Sequence, residues 1–459
     1  MLSEARLAAI QNLVETEEWE ALATLLRKLQ SVEIAEILQS LQPEHRLQVF
    51  GELDVKTQGA VAEHFSTEML YEIYQAMDKK RFAQILSHAS SDVRADFYRS
   101  LSREEQLELL PFFSRKIRDD IVHLSTYEPE SAGGIMITDF ATIEEDMRVS
   151  DALKKIKEDN PSNKMIYYVY VVDEDMKMIG FVTIKDLILA DPKDKIADLV
   201  KREFVYANVD EDRESVARKI EKYNLLAIPV LNHRGQIAGI ITHDDAMDVI
   251  RAEHTEDLEK FMGIVPADKE FDYLNTPSWR HFLKRVVWVT SLAAIGIISG
   301  LIIHRFERAL EKLIILAIYM PMVADTGGNT GSQAATVVVR ALALGQISVK
   351  QWMKVIYKEA KIAFLLALVL GVLSFAKVVF LSWEAEVPQE YSLYNIATAI
   401  ALALSLQVIS ATIIGASLPL IVKKLGGDPA VAASPAITTI VDITGMLIYF
   451  GTAVLLLRL

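Results

Sequence analysis

The chain has 459 residues, too many for one hydrophobic core and enough for three domains of ordinary size. Hydrophobic residues make up 51% and charged residues 24%, but Pro277 onward holds 15 Lys and Arg against 9 Asp and Glu, so a part of net charge −20 precedes one of +6. The acidic part attracts cations and argues against nucleic acid as a partner, and the lack of cysteine removes disulfides, thiolate metal sites and cysteine nucleophiles.

The N-terminal stretch MLSEARLAAIQNLVETEEWE has acids throughout and lacks the basic and then apolar regions of a secretory signal, so the first domains are expected in the cytoplasm. Residues 1 to about 125 contain no plausible strand, which sets the first domain at 1–128. Ser31, Gln42 before Pro43, Asp54, Ser66, Asp78, Ser90, Ser102 and Ser114 recur every eleven or twelve residues, each ahead of an apolar pattern of helical period. The spacing predicts short helices stacked into an all-α solenoid, two per ~24-residue unit, with an ordinary helical bundle as the alternative.

Within 129–250 a second repeat keeps a constant register. Val169–Leu187 matches Ile228–Ala246 at an offset of 59, pairing Val172 with Leu231, Gly180 with Gly239, Thr183 with Thr242 and Asp186 with Asp245. Each copy reads as an apolar strand, a polar turn, a second strand after Gly, and a helix opened by Thr-x-x-Asp. Helices expected at Val149–Glu158 and Glu214–Tyr223 complete a βαββα-like α/β unit. The pattern resembles the tandem cystathionine-β-synthase (CBS) domain pair, which implies one packed module that often binds adenine nucleotides. A dimerisation scaffold without ligand is the alternative, since Thr-x-x-Asp also makes an ordinary helix cap.

Residues 251–275 are expected to form a connecting segment whose helix ends near Phe261. Asp245, Asp248, Glu253, Glu256, Asp257 and Glu259 crowd that helix, and like charges three and four apart destabilise it unless compensated. A solvated acidic face explains such a run. A divalent cation shared with another acidic surface is the sharper reading, because Mg²⁺ and Ca²⁺ select carboxylate oxygens.

From Thr276-Pro277-Ser278 the chain becomes a polytopic α-helical membrane domain, 276–459, with five spans expected at about 286–303, 313–340, 359–382, 393–422 and 432–457. Arg280, Lys284 and Arg285 precede the first span, Lys350, Lys354, Lys358 and Lys361 lie between the second and third, and Lys423 and Lys424 follow the fourth. These basic ends place the N-terminal domains inside, and an odd number of spans then places the C-terminus outside. The outer loop Glu384–Tyr391 carries acids and no base, whereas HRFERALEK departs from the pattern and reads as an interfacial amphipathic helix.

Two spans carry polar chemistry. In the second, Pro321–Gln333 gathers Asp325, Asn329, Ser332 and Gln333 among glycines, and it either lines a wet pathway or packs tightly through Gly327 and Gly331. In the fifth, Ser434, Thr438 and Asp442 recur every four residues and share one face, while Pro435 is expected to break the hydrogen-bond ladder. A carboxylate deep in an apolar span costs on the order of 3 kcal/mol and marks ion or proton passage, or else caps a broken helix inside the protein. Hydroxyls beside it favour a hard divalent cation over a proton relay.

The segments P-x-x-x-x-T-G-G-N-T-G-x-Q-x-A-T (Pro321–Thr336), D-P-A in the last loop, P-x-x-x-T-x-x-D-x-T-G (Pro435–Gly445) and A-E-x-T-E-D (Ala252–Asp257), with the CBS repeat, resemble the MgtE family of magnesium channels and transporters. The resemblance implies a Mg²⁺-selective uptake channel, homodimeric in the lipid bilayer of a bacterial-type inner membrane, with paired Asp442 residues, Thr438, Ser434 and Asn329 around hydrated Mg²⁺. It implies closure by intracellular Mg²⁺ at Asp245, Asp248, Glu253, Glu256 and Asp257, and ATP near Tyr170, Thr183 and Asp186. Lys185 and Leu225 depart from the nucleotide-binding pattern, and Ser434 stands where an asparagine can occur. No Walker-type GxxxxGK[ST] sequence is present and no enzyme is expected. A nucleotide-sensing CBS membrane receptor and a proton-coupled divalent cation exporter are the alternatives.

Overall fold

The computed structural model describes residues 10–459 apart from 11, 15, 17, 160–166, 267–272, 274, 275, 386 and 433. The extreme N-terminus, the acids from Asp268 to Asp272 and Glu386 of the expected outer loop therefore lie outside the described residues. The chain divides into two compact units, Met1–Glu253 and His254–Leu459.

In the first unit, Asp54, Ser66, Asp78, Ser102 and Ser114 each cap a helix with the side chain, as their spacing predicts. Gln42 and Ser90 hold the same position before Pro43–Gly51 and Ser91–Ser100. One start differs: Ser31 is the first residue of Ser31–Ser40 and Gln30 is the cap, its backbone N–H donating to Glu33 Oε2 at 3.0 Å. Helices pack on the next but one. Ser31–Ser40 meets Val55–Ala62, which meets Lys79–Leu86, which meets Arg103–Leu109; in the other row Thr67–Ala76 meets Ser91–Ser100, which meets Arg115–Leu124. Two rows sharing one continuous apolar core are the stacking of a short solenoid.

Two three-stranded sheets follow. β1 (Thr142–Glu144) runs parallel to β2 (Tyr168–Val172), which pairs antiparallel with β3 (Met178–Thr183), and β4 (Ala207–Asn208), β5 (Ala227–Leu231) and β6 (Ile237–Thr242) repeat the arrangement. The hairpins agree in register at the 59-residue offset, with Tyr168 opposite Thr183 and Ala227 opposite Thr242, down to bulges at Val171/Val172 and Val230/Leu231. Helices Val149–Asp159 and Arg213–Tyr223 make the crossovers that parallel pairing requires. The copies also exchange edges. Ile137, ahead of the first copy, bridges Ile240 of the second, and Lys201, ahead of the second, bridges Phe181 of the first. This explains the repeated glycine: a Cβ on Gly180 would stand 2.3 Å from the Lys201 carbonyl oxygen, and one on Gly239 would stand 2.9 Å from that of Ile137.

In the second unit, Ser278–Arg305, Val349–Leu381, Leu393–Lys424 and Ser434–Leu457 are long and apolar enough to cross a membrane. A fifth long helix, Ile315–Ala343, has 29 residues and packs against Leu393–Lys424 and Ser434–Leu457, but its polar centre leaves it outside that set. In chain order these five long helices of the membrane region are numbered first to fifth, the second being Ile315–Ala343. The first begins at Ser278 and the third, after a short turn, at Trp352, both ahead of the expected spans because the helices run on into basic segments. Glu307–Lys312 is the short helix expected within HRFERALEK. Pro435 does not break a ladder: the fifth helix starts at Ser434, so Pro435 lies in its first turn, where a missing N–H removes no intrahelical bond. A turn at Pro429–Val431, capped by Asp428, precedes that start.

Candidate functional site

The polar residues of the second and fifth membrane helices meet at Ser332. Ser434 Oγ donates to Ser332 Oγ at 3.0 Å, and Thr438 Oγ1 lies 3.4 Å from the same atom. Thr438 donates to the Ser434 carbonyl at 3.0 Å, and Thr439 donates to that of Pro435 at 2.9 Å. One turn on, half-buried, Asp442 continues the stripe about 12 Å from the helix start. Among the described residues no basic side chain pairs with it, and Asp325 of the second helix stands within electrostatic reach.

Small residues make this approach possible. A Cβ on Gly328 would stand 3.0 Å from Thr438 Cγ2 of the fifth helix, and one on Gly415 of the fourth would stand 2.0 Å from the Gly331 carbonyl oxygen, so the second and fourth helices touch backbone to backbone. The glycines thus serve close packing. The polar residues use another face: Asp325, Asn329 and Gln333, four apart, are exposed in the single chain. Ser332, rather than Asn329, makes the hydrogen bond to the fifth helix.

Sequence reasoning misses Gln407 of the fourth helix. It is fully buried between Gly327 and Gly445, where a Cβ on either glycine would stand 2.5 Å from its Nε2. That Nε2 donates to the Val441 carbonyl at 2.8 Å and so fixes the backbone next to Asp442. Its Oε1 has no hydrogen-bond partner among the described residues. The available signal was an amide in the middle of an apolar span, where lipid offers it no partner.

The connecting helix, His243–Phe261, ends where expected, and its acids are compensated from within the chain. Thr242 donates to Asp245, Arg213 Nε donates to Glu253 Oε1 at 2.9 Å, and Arg251 lies 3.4 Å from Asp248. Lys260 pairs with Glu256 at 2.6 Å and with Asp428 at 3.0 Å. Burial alone would lower the Lys260 pKa, but the Glu256 and Asp428 carboxylates raise it above the usual lysine value, so the ammonium is a fixed charge. It ties the end of the connecting helix to the turn before the fifth membrane helix, and Phe261 beside it packs against Ala335, Ala411, Ile437 and Val441. Asp257 is half-buried on the same helix. Among the described residues no three His, Asp or Glu side chains gather closely enough to hold a metal ion.

The three expected nucleotide residues lie on the first sheet and the helix that follows it. Tyr170 lines a cavity of about 40 Å³ with Tyr168, Phe181, Phe204 and Leu225, and its hydroxyl lacks a hydrogen-bond partner among the described residues. Thr183 and Asp186 instead cap the helix Ile184–Leu189, and Lys201 Nζ donates to Asp186 Oδ2 at 2.7 Å. Burial alone would raise the Asp186 pKa, but hydrogen bonds from Lys201 and Thr183 hold it down to about 2. The cavity is apolar and about the size of a water molecule, whereas pockets for larger ligands are roughly 300 Å³ or more.

Comparison with known proteins follows the same order of segments. Residues 320–452 match the MgtE divalent cation transporter model, 29–130 match the MgtE intracellular N domain, and 132–193 and 196–252 each match the CBS domain. The chain is 35% identical over 339 residues to the magnesium transporter MgtE of Thermus thermophilus, covering 74% of this chain and 73% of that one. It is 36% identical over 330 residues to the magnesium transporter MgtE of Bacillus subtilis, covering 72% and 70%. Among solved structures, the cytosolic domain of the Mg²⁺ channel MgtE in complex with ATP is 29% identical with a TM-score of 0.50, covering 53% of this chain and 99% of that one. With its helical, CBS and membrane regions matched in order and relatives this similar over most of its length, the chain belongs to the MgtE family.

Proposed function

We propose that this protein is a Mg²⁺ uptake channel that works as a homodimer, with Asp442 of each copy facing the pore. The observation that carries the reading is the stripe Ser434, Thr438 and Asp442, all oxygen, with a carboxylate that no cation of the described chain neutralises. Mg²⁺ dehydrates reluctantly, so hydroxyls and one carboxylate can hold it through its water shell without stripping it. Asp325, Asn329 and Gln333 support the second copy, because an exposed polar face is costly against lipid and tolerable beside water or another chain. Relatives named as magnesium transporters support Mg²⁺ as the ion. Passage is downhill, driven by the ion gradient and the membrane potential.

In this reading the N-terminal domains are cytoplasmic and the C-terminus is outside, an orientation the basic helix ends support, and the membrane is a bacterial inner membrane. Intracellular Mg²⁺ closes the pore by bridging Asp245, Asp248, Glu253, Glu256 and Asp257 to facing acids, and it shifts the equilibrium by as much as its affinity differs between the two states. Phe261, at the end of the connecting helix and packed against Ile437 and Val441, carries that shift to the fifth helix. A regulatory ATP would require the cavity at Tyr170 to widen.

Flux into liposomes tests the proposal. Wild-type protein should admit Mg²⁺ without an imposed pH gradient, and Asp442→Asn should fall to the level of empty liposomes while remaining a dimer on size-exclusion chromatography. Normal uptake by Asp442→Asn sinks the pore assignment. Flux that needs a pH gradient points to a proton-coupled exporter, and tight nucleotide binding with no flux points to a receptor.

A further inference from the structure

The third and fourth membrane helices enclose a cavity of about 550 Å³ at their basic ends, and no step of ion passage uses it. Lys350, in the turn before the third helix, and Lys424, at the end of the fourth, stand on its rim. Both are exposed, and among the described residues neither has an acidic partner. The sequence holds no acid between Arg340 and Lys358, and the acid nearest Lys424 along the chain, Asp428, is taken up by Lys260.

Trp352 opens the third helix beside these lysines and is 54% exposed. An indole suits the boundary between headgroups and hydrocarbon, where one edge is wet and the ring is not. Below it Ile356 and Ile421 continue the walls, and Leu420, 4% exposed, closes the floor. A free anion would need only the lysines, and a bare acyl chain would need only the walls. A molecule joining a phosphate to hydrocarbon uses both.

We propose that this groove is a binding site for an anionic phospholipid, its phosphate between Lys350 and Lys424, its glycerol region against Trp352 and its upper acyl chain along Ile356 and Ile421. A lysine near a membrane surface favours an anionic lipid by about fivefold, so two should separate anionic from zwitterionic headgroups by more than tenfold. The site does not depend on which ion crosses the pore.

The test uses the full-length protein in detergent with equal amounts of phosphatidylglycerol and phosphatidylcholine, read by native mass spectrometry for retained lipid. Phosphatidylglycerol should be retained over phosphatidylcholine. K350Q/K424Q should lower that preference roughly tenfold or more, and K350R/K424R should keep it. Brominated phosphatidylglycerol should quench less fluorescence in Trp352→Phe than in the wild type. Equal retention of the two lipids, or an unchanged preference in K350Q/K424Q, overturns the proposal. Displacement of the lipid by glycerol 3-phosphate alone also overturns it, because a free anion would then suffice.

Discussion

Carboxylates gather in two places in this chain, and their surroundings are opposite. On the connecting helix, Glu253, Asp248 and Glu256 already face Arg213, Arg251 and Lys260. In the fifth membrane helix, Asp442 has hydroxyls along its own face and another acid within electrostatic reach. A carboxylate paired with an ammonium or guanidinium can take a metal ion only by exchange, which weakens binding and makes it sensitive to concentration. A carboxylate with no cation in apolar surroundings is costly until a cation arrives. The first environment suits a sensor and the second a pathway.

The comparison breaks first, and with the largest effect, if the acids of the connecting helix are removed. D248N/E253Q/E256Q should leave conduction insensitive to cytoplasmic Mg²⁺; closure at the wild-type concentration would reduce the run to a solvated face. Gln407→Ala should come next, costing about 2 kcal/mol because it removes one donor from the Val441 carbonyl, leaving that of Thr444, and opens a space between Gly327 and Gly445. A thermal-unfolding series in detergent measures it, and an unchanged midpoint removes Gln407 from the account.

Lys260→Met sharpens the exchange argument. Freed of their internal cation, Glu256 and Asp428 should bind Mg²⁺ more tightly, so closure should need about tenfold less Mg²⁺, worth about 1.4 kcal/mol. A higher requirement would mean that the ion pair itself holds the closed state. Because the Lys260 pKa lies above its ordinary value, any stability from the pair is present below that value and lost only as pH rises through the folded one, so the effect should be flat between pH 6 and 9.

The smallest effect belongs to Asp186→Asn, of order 1 kcal/mol once the partial exposure of Lys201 is allowed for. With a folded pKa of about 2, below its unfolded value, this contribution is complete above about pH 4 and vanishes as pH falls through 2. Unfolding midpoints of the variant and wild type should converge over that window.

Much of the fold was legible because the signals are local. Caps announce helix starts, and seven of the eight expected ones hold, while Gln30 displaces Ser31 where its backbone N–H meets the Glu33 carboxylate. Apolar runs report the thickness of hydrocarbon rather than the length of helix, which is why Ser278 and Trp352 begin earlier than their spans. The stripe ending at Asp442 follows from a four-residue spacing. Ser332 and Gln407 were harder, since their importance lies in partners 102 and 34 residues away that no periodicity encodes. Pro435 misled for a related reason: a proline inside an apolar run looks the same whether it interrupts a helix or begins one.

The exchanged edges of the CBS pair bear on how the protein is made. Each sheet is finished by a strand-like segment from the other copy, Ile137 on Ile240 and Lys201 on Phe181, so a chain released up to residue 200 still lacks the segment that covers the first sheet. During synthesis that sheet waits with an open edge until the following residues emerge, and in the interval it can pair with the same edge on a neighbouring chain. Two nascent copies side by side offer each other the same complementary edges, and only the tether within each chain favours the correct pairing.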